Sequence, residues 1–118
     1  MKVLAIFTCY NRRELTRQSM ELLGQNKNVT FDYVIVNDGS TDGTDEMLAA
    51  MPYEIDLING DGGLFWNRGM YEAIEHAKKA HPDYEYYMLM NDDTKFVPVI
   101  IDEMLPLFAS DKVMVGAM

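Results

Sequence analysis

Two adjacent carboxylates, Asp92 and Asp93, close the run Met88-Leu89-Met90-Asn91, so an apolar segment ends abruptly in charge. Such a pattern reads as a strand that delivers acids to its carboxyl end. Neighbouring like charges repel, and a hard divalent ion such as Mg²⁺ relieves the repulsion by taking one or two carboxylates together with phosphate oxygens. Asn and Asp are also common turn residues, so the pair alone is compatible with a plain turn. Three other expected strand ends carry polar clusters of the same kind: Thr8-Cys9-Tyr10-Asn11-Arg12, Asn37-Asp38-Gly39-Ser40 and Asn59-Gly60-Asp61-Gly62-Gly63. Tyr10 offers a ring to cover a base, Asp38 an acceptor for a ring N–H, and Gly62-Gly63 a close backbone approach ahead of a helix N-terminus.

Placing these clusters on one rim requires a particular architecture. Strands are expected at Lys2 to Thr8, Phe31 to Asn37, Glu54 to Asn59, Tyr86 to Asn91 and from Val113 onward, each rich in β-branched or aromatic residues. Between them, Met70, Ala73, Ile74 and Ala77 follow helical spacing, as do Val97, Ile100, Ile101, Met104, Leu105 and Phe108. A weaker helix is expected over Glu14 to Leu23, with Leu15, Ser19, Leu22 and Leu23 inward and Gly24 as its stop, and a short one over Thr44 to Met51. The alternation predicts an α/β fold, a Rossmann-like, mostly parallel, doubly wound sheet with helices on both faces. Ligands in such sheets bind outside the carboxyl ends of the strands, near the switch in strand order, and that rule gathers all the clusters into one constellation.

Composition narrows the ligand. The 118 residues fit one domain, 1–118, large enough to bury a core without disulfides, and the single Cys9 is expected to serve packing in a reducing, cytoplasmic setting. A formal charge of −9 argues against a nucleic-acid partner, which calls for a basic stripe. No signal peptide is apparent, and no apolar run approaches the roughly 20 residues of a transmembrane segment. A small phosphorylated ligand is compatible with an acidic rim when a metal masks the carboxylates and Arg12, Arg13, Arg68 or Lys95 assists.

Competing motifs fail on their own residues. The first strand is not followed by Gly-x-Gly-x-x-Gly, and there is no Gly-Lys-Ser/Thr phosphate loop. The segment Asp38 to Gly43 imitates a calcium loop, but Ala49 stands where the bidentate acid belongs. His76 and His81 lie five apart, the second beside Pro82, so they are expected to be separate surface residues rather than partners in a metal site. The ten methionines fall largely at core-type positions and read as gap-filling residues.

Taken together, these residues resemble the nucleotide-sugar glycosyltransferases of family 2, which have a GT-A fold. Ala5 to Arg12 looks like that family's first strand and loop, and Val34-Ile35-Val36-Asn37-Asp38-Gly39-Ser40-Thr41-Asp42 like its second. Asn59 to Gly69 is similar to the glycine-rich third segment of rhamnosyltransferase-like members, and Asn91-Asp92-Asp93 stands where the family carries its Asp-x-Asp-type motif, with Asn in the first place. The resemblance implies that Thr8, Tyr10 and Asp38 hold a pyrimidine base, with Arg12, Gly62 and Gly63 near the nucleotide. It further implies that Asp92 approaches the ribose or sugar and that Asp93, with Asp92, binds Mg²⁺ or Mn²⁺ bridging the diphosphate. The implied donor is a UDP- or dTDP-linked sugar, the acceptor a saccharide or related molecule, and the setting polysaccharide biosynthesis in the cytoplasm or at the inner face of the membrane.

The resemblance covers the donor-binding half of such an enzyme, whose general base and acceptor pocket come from a later half. The chain is therefore expected to be the N-terminal portion of an inverting, metal-dependent glycosyltransferase and inactive by itself. The alternative is a noncatalytic nucleotide-binding or interaction module on the same sheet. Val113 to Met118 reads as the start of a further strand with no turn after it, and its apolar surface is expected to favour self-association into a homo-oligomer.

Overall fold

The computed structural model describes residues 2–96 and 100–104. Strand β1 (Lys2–Cys9) leads into α1 (Arg13–Leu23), followed by β2 (Thr30–Asn37), α2 (Thr44–Ala50), β3 (Ile55–Asn59), α3 (Phe65–Ala80), β4 (Tyr86–Leu89) and α4 (Ile100–Met104). The strands form one sheet in the order β3-β2-β1-β4. Every neighbouring pair is parallel, with Ile6 opposite both Val34 and Leu89, and Val36 opposite Ile58. This is the predicted Rossmann-like architecture.

The two central strands explain the pattern that revealed them. β1 and β2 are buried along almost their whole length, so they read as continuous apolar runs rather than alternating ones. The period of two survives inside the burial. Val3, Ala5, Phe7 and Cys9 join Phe31, Tyr33 and Ile35 in one core, which also takes Met20 and Leu23 of α1, Leu48 of α2 and Ile101 of α4. Leu4, Ile6, Val34 and Val36 face the other way, onto Met70, Ala73 and Ala77 of α3. Each fully buried aliphatic or aromatic side chain contributes about 1.5–3 kcal/mol relative to exposure, so these two layers dominate the stability of the sheet.

Three local departures from expectation have identifiable causes. The buried stripe of α1 is Thr16, Ser19, Met20 and Leu23, while Leu15 is 37% exposed. Two overlapping stripes share the same helical spacing, and periodicity alone does not choose between them. Gly24 does end α1, but in a right-handed conformation with φ −64°. Strand β4 stops at Leu89, where the Met90 N–H makes a bond to the Ile6 carbonyl before the chain turns at Asp92-Asp93. The expected strand from Val113, its self-association surface and most of the expected helix over 97–108 lie outside the described residues.

One glycine fixes how closely α3 sits on the sheet. A Cβ on Gly69 would stand 2.5 Å from Thr8 Oγ1 and 2.9 Å from Thr8 Cβ. Only Gly lets α3 cross the end of β1 at this distance, which brings the N-terminus of α3 to the rim where Thr8 and Tyr10 lie.

Candidate active site

The helices α1 and α2 cover one face of the sheet and α3 the other, so the strand order reverses between β1 and β4. A cleft of ≈ 610 Å³ opens at the carboxyl ends of the strands beside this switch point. It is lined by Thr8, Cys9, Tyr10 and Arg12 after β1, by Asp38 after β2, by Gly62, Phe65 and Trp66 before and within α3, and by Asn91, Asp92 and Asp93 after β4. Six of the seven residues expected to hold nucleotide, and both expected metal ligands, thus border one space. Gly63 is the exception, with its N–H turned to the Asp61 side chain at 2.8 Å.

Side chains tie the rim loops to one another. Asn11, in a left-handed conformation with φ 50°, accepts the Thr41 N–H at 2.7 Å and donates its own N–H to Ser40 Oγ at 2.9 Å. Asn is one of the few non-glycine residues that tolerates this conformation, and its short amide meets a neighbouring backbone there. Asp42 accepts the Arg13 N–H at 3.0 Å and also the Thr44 N–H and hydroxyl, so it begins α1 and α2 together. The stretch that imitates a calcium loop uses its acid to start helices.

Asp38 lines the cleft and also clamps the loop ahead of α3. It is buried, and its carboxylate accepts the N–H groups of Gly62 at 2.9 Å, Leu64 at 3.1 Å and Phe65 at 3.0 Å. A carboxylate has about four acceptor positions, so this side chain is largely committed to the loop ahead of α3. Gly62 itself has φ 94°, which a side chain rarely adopts, and Gly39 packs so closely that a Cβ would lie 2.8 Å from the Gly62 nitrogen. The glycines therefore serve the loop's own tight path beside Asp38.

The acids opposite are held by α1. Ser19 donates its hydroxyl to the carbonyls of Thr94 at 2.6 Å and Asp92 at 3.2 Å, fixing the turn that carries the pair. Arg12 reaches Asp93 at 2.7 Å and Asp92 at 3.8 Å. Burial pushes the Asp92 carboxyl above the ordinary range; Arg12 offsets part of that shift and the charge of Asp93 adds to it. With side-chain exposures of 13% for Asp92 and 44% for Asp93, one acid is sheltered and the other faces the mouth. Two adjacent oxygen donors with unbalanced negative charge on an open rim suit a hard cation that keeps most of its ligands from phosphate and water.

Two features of the site escaped sequence reasoning. Phe65 and Trp66 are 76% and 56% exposed at the start of α3, and Trp66 donates its indole N–H to Asn91 Oδ1 at 3.0 Å. Together with Tyr10 they make three exposed rings on the cleft. Large rings at the head of a helix that follows a glycine loop were the available signal.

The two histidines are not separate, as their spacing had suggested, but meet on one carboxylate. Both His76 Nε2 and His81 Nε2 lie 2.7 Å from Asp56 Oδ2, and the rings are 6.1 Å apart. A spacing of five would separate them on a continuing helix, but α3 ends at Ala80 and His81 leaves it with φ −134° and ψ 62°. Burial raises the Asp56 carboxyl, yet the hydrogen bonds from His81 and His76 more than offset it and leave the group below its ordinary value.

Among the described residues no helix is long and apolar enough to cross a membrane. The chain is 29% identical over 103 residues to the poly-beta-1,6-N-acetyl-D-glucosamine synthases of Staphylococcus aureus strains COL and MRSA252, an alignment covering 87% of this chain and 23% of each relative. It thus spans about a quarter of the length of the curated relatives it matches. The family described as glycosyl transferase family 2 matches residues 5–117, nearly the whole chain and every loop of the cleft, and on that match the chain belongs to glycosyl transferase family 2.

Proposed function

We propose that this chain is the donor-binding portion of an inverting glycosyltransferase that moves a sugar from a UDP- or dTDP-linked donor to a saccharide or related acceptor with Mg²⁺ or Mn²⁺. The observation that carries this reading is the meeting of Tyr10, Arg12, Asp92 and Asp93 on one cleft at the switch point of a parallel sheet. An aromatic face, a guanidinium and two carboxylates are the parts needed for a base, a phosphate and a masking cation, in that order.

In this reading Tyr10 lies over the base and Thr8, beneath it, sets the floor at the end of β1. Arg12 contacts the diphosphate, and Asp92 and Asp93 hold the cation, which neutralises charge on the departing nucleoside diphosphate. Asp38 acts through the loop it clamps: it keeps Gly62 and the N-terminus of α3 in place against the nucleotide. The exposed Trp66, anchored to Asn91, is suited to stack on a sugar ring at the mouth.

Calorimetric titration with UDP and dTDP, each with Mn²⁺ and with chelator, tests the reading directly. Binding that strengthens with the metal is the expected result, because an acidic rim repels an unmasked diphosphate. Equal affinity in both conditions would remove the metal from the proposal, and failure of every nucleoside diphosphate to bind would remove the donor site.

A further inference from the structure

At the other end of β3 from the cleft, three side chains from separate elements converge. Asp56 is the second residue of β3, His76 lies in the last part of α3, and His81 caps that helix. Asp56 stands opposite Val34 in the ladder and points to the α3 side of the sheet, as Ile58 does two residues later. Each of the three offers one ligand atom, and these atoms lie within 4.8 Å of one another. We propose that Asp56, His76 and His81 form a second metal site, for a borderline transition ion such as Zn²⁺, which fastens the C-terminal end of α3 to β3.

Both imidazoles aim the same nitrogen, Nε2, at the same carboxylate oxygen. In the ion-free protein each Nε2 shares a proton with Oδ2; an ion would take the place of those protons, and with the ring proton then on Nδ1 each Nε2 would present a lone pair to the point that Oδ2 also faces. Two imidazoles and one carboxylate select Zn²⁺ and its neighbours over Mg²⁺ or Ca²⁺, which prefer oxygen, and three protein ligands leave a fourth tetrahedral position for water. Bonds of about 2.0–2.1 Å at tetrahedral angles put ligand atoms about 3.3 Å apart. The present N···O separations of 2.7 Å therefore need to open by only about 0.6 Å. Side-chain exposures of 37%, 28% and 36% for His76, His81 and Asp56 leave an entry path and room for that adjustment.

The site would act as a clamp. α3 presents Phe65 and Trp66 to the cleft at its N-terminus and His76 and His81 to this cluster at its other end, so an ion here holds the helix that carries one wall of the cleft. The ring of His81 also touches Tyr84, at 6.0 Å between centroids, which extends the clamp into the connection to β4. This inference does not depend on the donor-site reading.

The chain contains two histidines, so imidazole NMR of the tag-free protein reads both proposed ligands without a variant. One equivalent of Zn²⁺ is expected to shift both imidazole signals together and to raise the thermal midpoint, and Co²⁺ should show the visible bands of a low-coordinate site that Zn²⁺ then abolishes. His76→Gln and His81→Gln should each weaken binding by about tenfold or more, while Asp93→Asn leaves it unchanged. Imidazole signals that ignore one equivalent of Zn²⁺, or that move one without the other, would overturn the proposal. Zn²⁺ affinity that survives the double histidine variant would do the same.

Discussion

Arg12 Nη1 and Asp93 Oδ2 meet at 2.7 Å across the mouth of the cleft, joining loops that are 81 residues apart in the chain. Both side chains are about half exposed, at 49% and 44%, so solvent screens the pair and its contribution to folding is small, roughly 0–1 kcal/mol. Under the proposed reading the pair would serve exchange: a cation taken by Asp93 would free the guanidinium to donate to a phosphate oxygen.

Asp93→Asn should therefore abolish the gain in nucleotide affinity that Mn²⁺ gives while leaving the thermal midpoint close to that of the parent. Calorimetry with and without chelator, together with a melting curve, checks both halves. A collapsed transition in this variant would instead mark Asp93 as a structural residue.

Tyr10 and Asp38 should separate cleanly. Tyr10 is 53% exposed, and Tyr10→Ala is expected to weaken UDP or dTDP binding by about 1–3 kcal/mol with little change in stability. Asp38→Ala strands three backbone N–H groups, and it should cost about 2–4 kcal/mol of stability before any effect on binding is considered. Equilibrium denaturation of the two variants decides the matter: equal midpoints would show that Asp38 is no clamp.

The difference between these two residues shows where the sequence was legible. Strand ends, the parallel order and the gathering of acids on one rim follow from hydrophobic runs and turn chemistry, which are local signals. That a buried carboxylate also clamps a loop 24 to 27 residues away is something nothing local reports. Leu15 lies outside the buried stripe of α1 that Ser19 and Leu23 share, and the histidines meet rather than standing apart, for related reasons. Leu15 and Met20 each belong to an acceptable helical stripe, and His81 joins His76 only because α3 stops one residue before it. Tertiary contacts and helix ends, rather than periodicity, settle such choices.

Cys9 supplies a prediction about pH. It is 3% exposed, its thiol approaches Asn37 Oδ1 at 4.0 Å, and burial, followed by the charge of Asp92 and nearby acids, pushes it from the ordinary 9.0 up to about 12. An acid whose folded value is raised contributes stability that is complete below its unfolded value and is lost as pH rises through the folded one. Stability should thus decline between about pH 9 and pH 12 as the unfolded chain ionises and the folded chain does not. At about pH 8 a thiol reagent should label Cys9 only as fast as the protein opens, and adding denaturant should release the reaction. Prompt labelling of the native protein would place the thiol at the surface.

The last expectation concerns turnover. Displacement of a nucleoside diphosphate requires the acceptor oxygen in line with the breaking bond and a base within hydrogen-bond reach of its proton. Around the cleft, the described side chains suit the leaving-group side of that reaction. In the proposed reading Arg12 and the two acids would face the departing diphosphate, and the three rings would offer stacking faces. The chain should accordingly bind a UDP- or dTDP-sugar and release nucleotide no faster when a saccharide is added. A longer form continuing beyond Met118 should show acceptor-dependent release. Measuring nucleotide release from both forms, over a panel of acceptors and with Mn²⁺ present, gives the answer. Rapid acceptor-dependent release by the 118-residue chain would mean that an acid already in this cleft serves as the base, and Asp92, sheltered and with its carboxyl raised by burial, would be the first residue to replace.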